Sequence, residues 1–255
     1  MRAKRAVKAY VPFLALICSI SILLLILSGC VNEAKQREEA FKSSIEKSIL
    51  NRMENSESND KLKLVNTELA YLEEYREETF SDEKLNDIKN RYLEGLDKQK
   101  AAIDAIAKCD QQVAWQEGYV YRCEALKTLY DNYGFLKDNP EFIGTYVSSY
   151  DKEKALLDAY NNIESDISSQ DTPLDWKCDD GHNIYVVMKN NTDHQFSSVW
   201  EFSFKDAGGA IAETTTISTE NVKPHSTYTV KTYISNIENA DGGFDWSNYY
   251  YDVKP

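Results

Sequence analysis

Enzymatic or metal chemistry needs histidines, carboxylates and activated hydroxyls within reach of one another, and this chain of 255 residues offers few of them. Its three histidines, His182, His194 and His225, are scattered through segments rich in turn formers. Histidine is the commonest general base and metal ligand, but each of these reads as a solvated turn residue. Glu73, Glu74, Glu77 and Glu78 crowd together; like charges at i and i+4 repel, so the cluster reads as a solvated helix face. A Ser-x-x-Lys triplet, in which a lysine activates a serine for acyl transfer, starts at Ser44, Ser81 and Ser149. The Ser-Asp-Asn and Lys-Thr-Gly elements that complete such a site are absent, as are G-x-S-x-G, H-E-x-x-H and a phosphate-binding glycine loop. No catalytic residue and no cofactor is expected.

Two other residue groups remain. Asp179 and Asp180, with Asp175 just before them, and Asp241 and Asp245, flanking Gly242-Gly243, are weak calcium candidates: oxygen-rich loops chelate calcium, but no segment has the twelve-residue loop spacing. Trp176, Trp200, Trp246 and the run Tyr249-Tyr250-Tyr251 supply rings able to stack on sugars. Strand alternation turns Trp200, Tyr249 and Tyr251 inward, which leaves Trp246 and Tyr250 as the candidate surface contacts.

The elements that must position these residues fall into two halves. Between 30 and 168 the apolar residues recur at helical spacing: Phe41, Ile45, Ile49 and Met53, then Leu62, Val65, Leu69 and Leu72. A turn at 79–82 follows, with Ser81 suited to cap a helix that Asp82 and Glu83 open. One long stripe then runs from Leu85 through Ile106 toward Tyr133, with Gly118 as its weak point. Asn139-Pro140 opens a last helix carrying Phe142, Tyr146, Tyr150, Leu157, Tyr160 and Ile163. The expectation is four or five antiparallel helices joined by short loops.

Residues 169–182 have the composition of a linker. From 183 to 255 the period changes to two. Trp200, Phe202 and Phe204 alternate with Glu201, Ser203 and Lys205; Tyr228, Val230, Thr232 and Ile234 mark a later strand. The expected fold class is α+β in two domains, a helical bundle followed by a small antiparallel β-sandwich.

Residues 1–29 carry Arg2, Lys4, Arg5 and Lys8 but no acid, so removing them from a chain of net charge −13 leaves −17. That sign argues against nucleic acid as a partner and keeps tethered copies apart. Cys109, Cys123 and Cys178 follow Cys30. On one unbroken helix Cys109 and Cys123 would stand about 21 Å apart, too far to bridge. They pair only if the chain folds back between them; otherwise Cys123 is a buried thiol on the Tyr119–Leu126 stripe.

The apolar run Phe13–Leu27 follows the four cations and ends in Leu27-Ser28-Gly29-Cys30. It is shorter than the about 20 residues of a spanning helix and has the layout of a signal peptide. The stretch resembles the lipobox of bacterial lipoproteins. The resemblance implies removal of residues 1–29 and attachment of diacylglyceryl and acyl chains to Cys30, holding the chain on the extracytoplasmic face of a membrane. Phe202-Ser203-Phe204-Lys205-Asp206 with Gly208-Gly209, together with Val187–Thr192 and Val222-Lys223-Pro224, is similar to the FxLYD-type β-sandwich domains of bacterial surface lipoproteins. Phe204 and Lys205 depart from that motif, as does His225. The matching residues are packing and turn residues, so the likeness implies fold and location and carries no chemistry. The expected function is a non-enzymatic binding or scaffold module for an envelope protein or glycan; the alternatives are an envelope hydrolase or a glycan- or solute-binding lipoprotein.

Overall fold

The computed structural model of this protein describes residues 33–104, 108–169, 175–179, 182–235 and 242–255. The lipobox residues Leu27, Ser28, Gly29 and Cys30 lie outside the described residues. Helix α1 occupies 33–54 and buries Phe41, Ile45 and Ile49 completely, as their spacing requires. Helix α2 (Lys61–Leu72) is capped by Asp60, whose carboxylate accepts the Lys63 N–H at 2.9 Å. It buries Val65, Leu69 and Leu72. Leu62, which shares their spacing, is exposed instead.

The long stripe does not form one helix. It folds into α3 (Glu83–Asp104) and α4 (Lys108–Tyr133), which pack side by side as the largest helix interface of the described chain. A single helix over this stretch would reach about 75 Å and leave most of its apolar face in water. Gly118 is therefore no kink: α4 runs through it unbroken, and its missing side chain lets α3 approach. A Cβ on Gly118 would stand 2.5 Å from the Gly95 carbonyl oxygen, and one on Gly95 2.7 Å from that of Gly118. Asp82, rather than Ser81, caps α3, accepting the Leu85 N–H at 3.2 Å; Ser81 Oγ donates to Glu38 at 2.6 Å. The last helical stretch is also divided. A short α5 (Pro140–Phe142), capped by Asn139 through the Phe142 N–H at 2.9 Å, passes through a π turn at Ile143–Val147 into α6 (Tyr150–Ser169).

The second half is two three-stranded antiparallel sheets. Strands β1 (Asp175–Cys178), β2 (Asn183–Lys189) and β5 (Thr227–Tyr233) form one, in the order β1-β2-β5. Strands β4 (Ile211–Val222), β3 (Gln195–Lys205) and β6 (Phe244–Lys254) form the other, with β3 central. Strand β1 lies inside the 169–182 stretch that composition marks as a linker; its pairing of Trp176 with Val186 draws residues 175–178 into the sheet. The alternation is as the period of two demands, with Trp200, Phe202 and Phe204 all at most 1% exposed. Asp206 holds the turn into β4, its carboxylate accepting the Gly208 and Ala210 N–H groups at 2.9 and 3.0 Å, while Gly209 takes φ +82°.

The two halves share a helix. The first half of the chain packs one core around Phe41, Tyr75, Leu96 and Leu126. The second core joins Tyr160, Ile163 and Ile167 of α6 to Val186, Trp200 and Phe202 of the sheets. Asp166 of α6 accepts both the backbone and side-chain N–H of Asn191 at 2.9 Å, and Asn162 lies 3.1 Å from His194. At one end of the bundle Glu38 accepts from Ser81 and Asp82, and Tyr133 donates to Asp82 at 2.6 Å. This end joins the start of α1, the turn before α3 and the end of α4. The sandwich attaches at the other end.

Candidate functional site

Among the described residues, those singled out for chemistry do not converge. His182 contacts the Ser235 carbonyl at 3.2 Å, His194 contacts Asn162, and His225 contacts Asp193 at 2.8 Å. Asp179 accepts from Asn183 at 2.9–3.0 Å and from Tyr185 at 3.1 Å, which closes the β1–β2 turn. Asp245, on the other sheet, pairs with Lys205 at 2.7 Å. Asp180 and Asp241 lie outside the described residues. Among the described residues no group of three His, Cys, Asp or Glu is placed to hold a metal ion. Trp246 is half-buried, its ring 5.3 Å from that of Trp200. The side chain of Tyr250 lies outside the described residues.

Two features that the residue types did not announce are built where helices meet. The first is a charged cluster in the bundle core. Glu68 of α2 is 1% exposed and Arg122 of α4 is fully buried. The Glu68 carboxylate accepts from Arg122 Nη2 at 2.8 Å through both oxygens, from Arg52 Nη1 at 2.9 Å and from the Tyr92 hydroxyl at 2.7 Å. Arg122 Nη1 also reaches Gln99 Oε1 at 3.2 Å. Burial lowers Arg122; the Glu68 carboxylate, with Tyr92 and Tyr146, outweighs that and holds the guanidinium well above its ordinary range. Burial, with the negative charge of Glu68, drives the Tyr92 hydroxyl up, so it stays a neutral donor. Arg122 Nε and Gln99 Nε2 are buried without a partner, at a cost of about 1–3 kcal/mol each. Glu68 and Arg122 are withdrawn from solvent, with only Arg52 reaching the surface, so the cluster orients helices.

The second feature is open. Where the α1–α2 turn, the end of α3, the start of α4 and α6 come together, they leave a cleft of about 860 Å³. Helix α4 contributes Gln111, Gln112, Trp115 and Gln116, a polar and aromatic face one turn long. Tyr160 comes from α6, and Asn59, Asp60 and Leu62 from the start of α2. Exposure of Leu62 is explained by its place on this wall. The Lys61 ammonium lies 4.9 Å from the centre of the Trp115 ring. Gln112 Nε2 donates to the Tyr160 hydroxyl at 2.7 Å, leaving Gln112 Oε1 buried without a donor. Turning the amide over exchanges the atoms but still orphans one of them. A second hollow of about 590 Å³ adjoins the cleft, sharing Asp60 and Leu62 and running along α2 past Asn66, Thr67 and Tyr71.

Sequence reasoning passed over the cleft because Gln111, Gln112 and Gln116 belong to no motif. Their spacing on one helical face beside Trp115 was the signal available. Among the described residues no helix is long and apolar enough to cross a membrane. No protein-family model, no curated protein and no solved structure matches this chain.

Proposed function

We propose that this protein is a lipid-anchored, extracytoplasmic binding or scaffold protein, in which the helical bundle is a spacer and the sandwich is displayed at its far end. The lipobox-like Leu27-Ser28-Gly29-Cys30 supports the anchor, and the charge of −17 after Gly29 supports a soluble ectodomain that neither nucleic acid nor anionic headgroups attract. The likeness of residues 183–253 to FxLYD-type domains of surface lipoproteins supports the same placement.

One observation carries the spacer reading. Cys30 precedes the described start of α1 by three residues, and that start sits at the bundle end joined by Glu38, Ser81 and Asp82, while α6 delivers the sandwich to the opposite end. Helix α1 alone rises about 33 Å over residues 33–54. The shared core on α6 transmits that offset without a loose hinge.

Energy transfer to a membrane dye tests this in vesicles carrying the lipidated protein. A fluorophore at Thr79, on the near end, transfers strongly, and one at Asp193, on the sandwich, transfers weakly. Equal transfer from both positions would remove the spacer reading.

A further inference from the structure

We propose that the cleft between α2, α4 and α6 and the hollow that extends it along α2 form a binding groove for an uncharged, hydroxyl- and acetamido-bearing glycan strand. The proposal assigns the bundle a ligand of its own, and it rests on the extracytoplasmic reading only for where such a glycan comes from.

The wall chemistry selects the ligand class. Gln111, Gln112 and Asn59 present amides, each of which both donates and accepts, matching the mixed donor and acceptor character of sugar hydroxyls and acetamides. Gln111 is held only loosely, its Nε2 standing 3.5 Å from the Ile103 carbonyl. Gln112 keeps one buried amide atom without a partner, which a ligand group satisfies once the amide turns toward the cleft. Trp115, half-buried, borders these amides with an aromatic face on which the apolar side of a pyranose stacks once the exposed Lys61 side chain swings off it. The charges on the wall are of both signs and nearly cancel: Asp60, which caps α2, stands with Lys63 and with Lys61, whose ammonium lies against the Trp115 ring. An anionic polymer therefore finds no clamp.

The shape selects a strand over a single sugar. The hollow past Asn66, Thr67 and Tyr71 continues the cleft along α2, whose twelve residues span about 18 Å. A peptide is disfavoured on the same surface. The groove is walled by helices, so it offers no strand edge to pair with.

Calorimetric titration of the full lipidated chain in detergent tests the assignment, with a β-1,4-linked N-acetylhexosamine hexasaccharide as probe and an uncharged hexapeptide as comparison. The saccharide binds, and the peptide does not. Trp115→Ala and Gln111→Ala each weaken binding at least about tenfold, while Trp115→Tyr restores much of it by returning a stacking ring. Should Trp115→Ala fail to fold, Gln111→Ala, at a half-buried position, and Asn66→Ala, at an exposed one, decide the matter. Absence of heat with the saccharide, binding indifferent to these substitutions, or preference for the peptide overturns the glycan groove. Such failure leaves the energy-transfer result untouched, and failure of the spacer reading leaves this titration untouched.

Discussion

Glu68 and Arg122 face each other across the centre of the bundle, both Glu68 oxygens 2.8 Å from Arg122 Nη2, with neither side chain more than 1% exposed. Removing Glu68 strands the Arg122 charge in the core, whereas removing Arg122 leaves Glu68 with Arg52 and Tyr92. Glu68→Leu is expected to destabilise the chain by about 3–5 kcal/mol, and adding Arg122→Met to recover most of that loss. Arg52, which is 13% exposed, can turn toward water in the double variant. Denaturant unfolding of the three proteins checks the ordering.

The glycine pair that sets the α3–α4 distance makes the opposite prediction from helix propensity. On an isolated helix Gly→Ala gains roughly 0.5–1 kcal/mol. Here Gly95→Ala and Gly118→Ala each drive a methyl group against a backbone oxygen of the partner helix, so each should cost about 1–3 kcal/mol. Thermal unfolding reads the sign directly.

Asp82 and Tyr133 tie the near end of the bundle together and give it a pH dependence at both extremes. The Tyr133 hydroxyl, with the Leu85 N–H, holds the Asp82 carboxyl below its ordinary range. A lowered acid stabilises the fold above the unfolded carboxyl range, near pH 4, and that contribution disappears as pH falls through the folded value. Burial and the bond to Asp82 raise Tyr133, so its contribution is complete below about pH 10 and is lost above it. Asp82→Asn should flatten both limbs of a plot of melting temperature against pH, and an unchanged acid limb would contradict the assignment.

Cys123 is a free, fully buried thiol on an unbroken α4 that also carries Cys109, 14 residues or about 21 Å away, so the two do not bridge. Burial pushes the Cys123 thiol up to about 12. In the native protein it should resist alkylation at neutral pH and react on denaturation, as peptide mapping after maleimide treatment would record. Its contribution to stability is intact below about pH 8.5, where an unfolded thiol begins to ionise, and is lost as pH climbs toward 12.

Periodicity made the architecture legible. Phe41, Ile45 and Ile49 and the Trp200, Phe202 and Phe204 alternation fall where their spacing places them. The division of the stripe into α3 and α4 was not legible, because apolar spacing continues from Leu85 through Ile106 and no proline or glycine pair falls between the two helices. Arg122 and Glu68 were hidden for a related reason: charged residues inside a helical stripe look like its solvated flank until a partner from another helix is known. Strand β1 was masked by its Pro173 and aspartate neighbours, whose composition is that of a loop. The cleft depends on four elements distant in sequence, and no local pattern contains it.

The proposal that matters most to the whole account is the anchor, and the mass of the mature N-terminal peptide tests it most directly. After detergent extraction and proteolysis, the account predicts a first residue at position 30 bearing a diacylglyceryl group and fatty acyl mass, and loss of this species with full-length precursor retained in Cys30→Ser. A mature chain that begins elsewhere, or an unmodified Cys30 in protein that still partitions with the membrane, would contradict it.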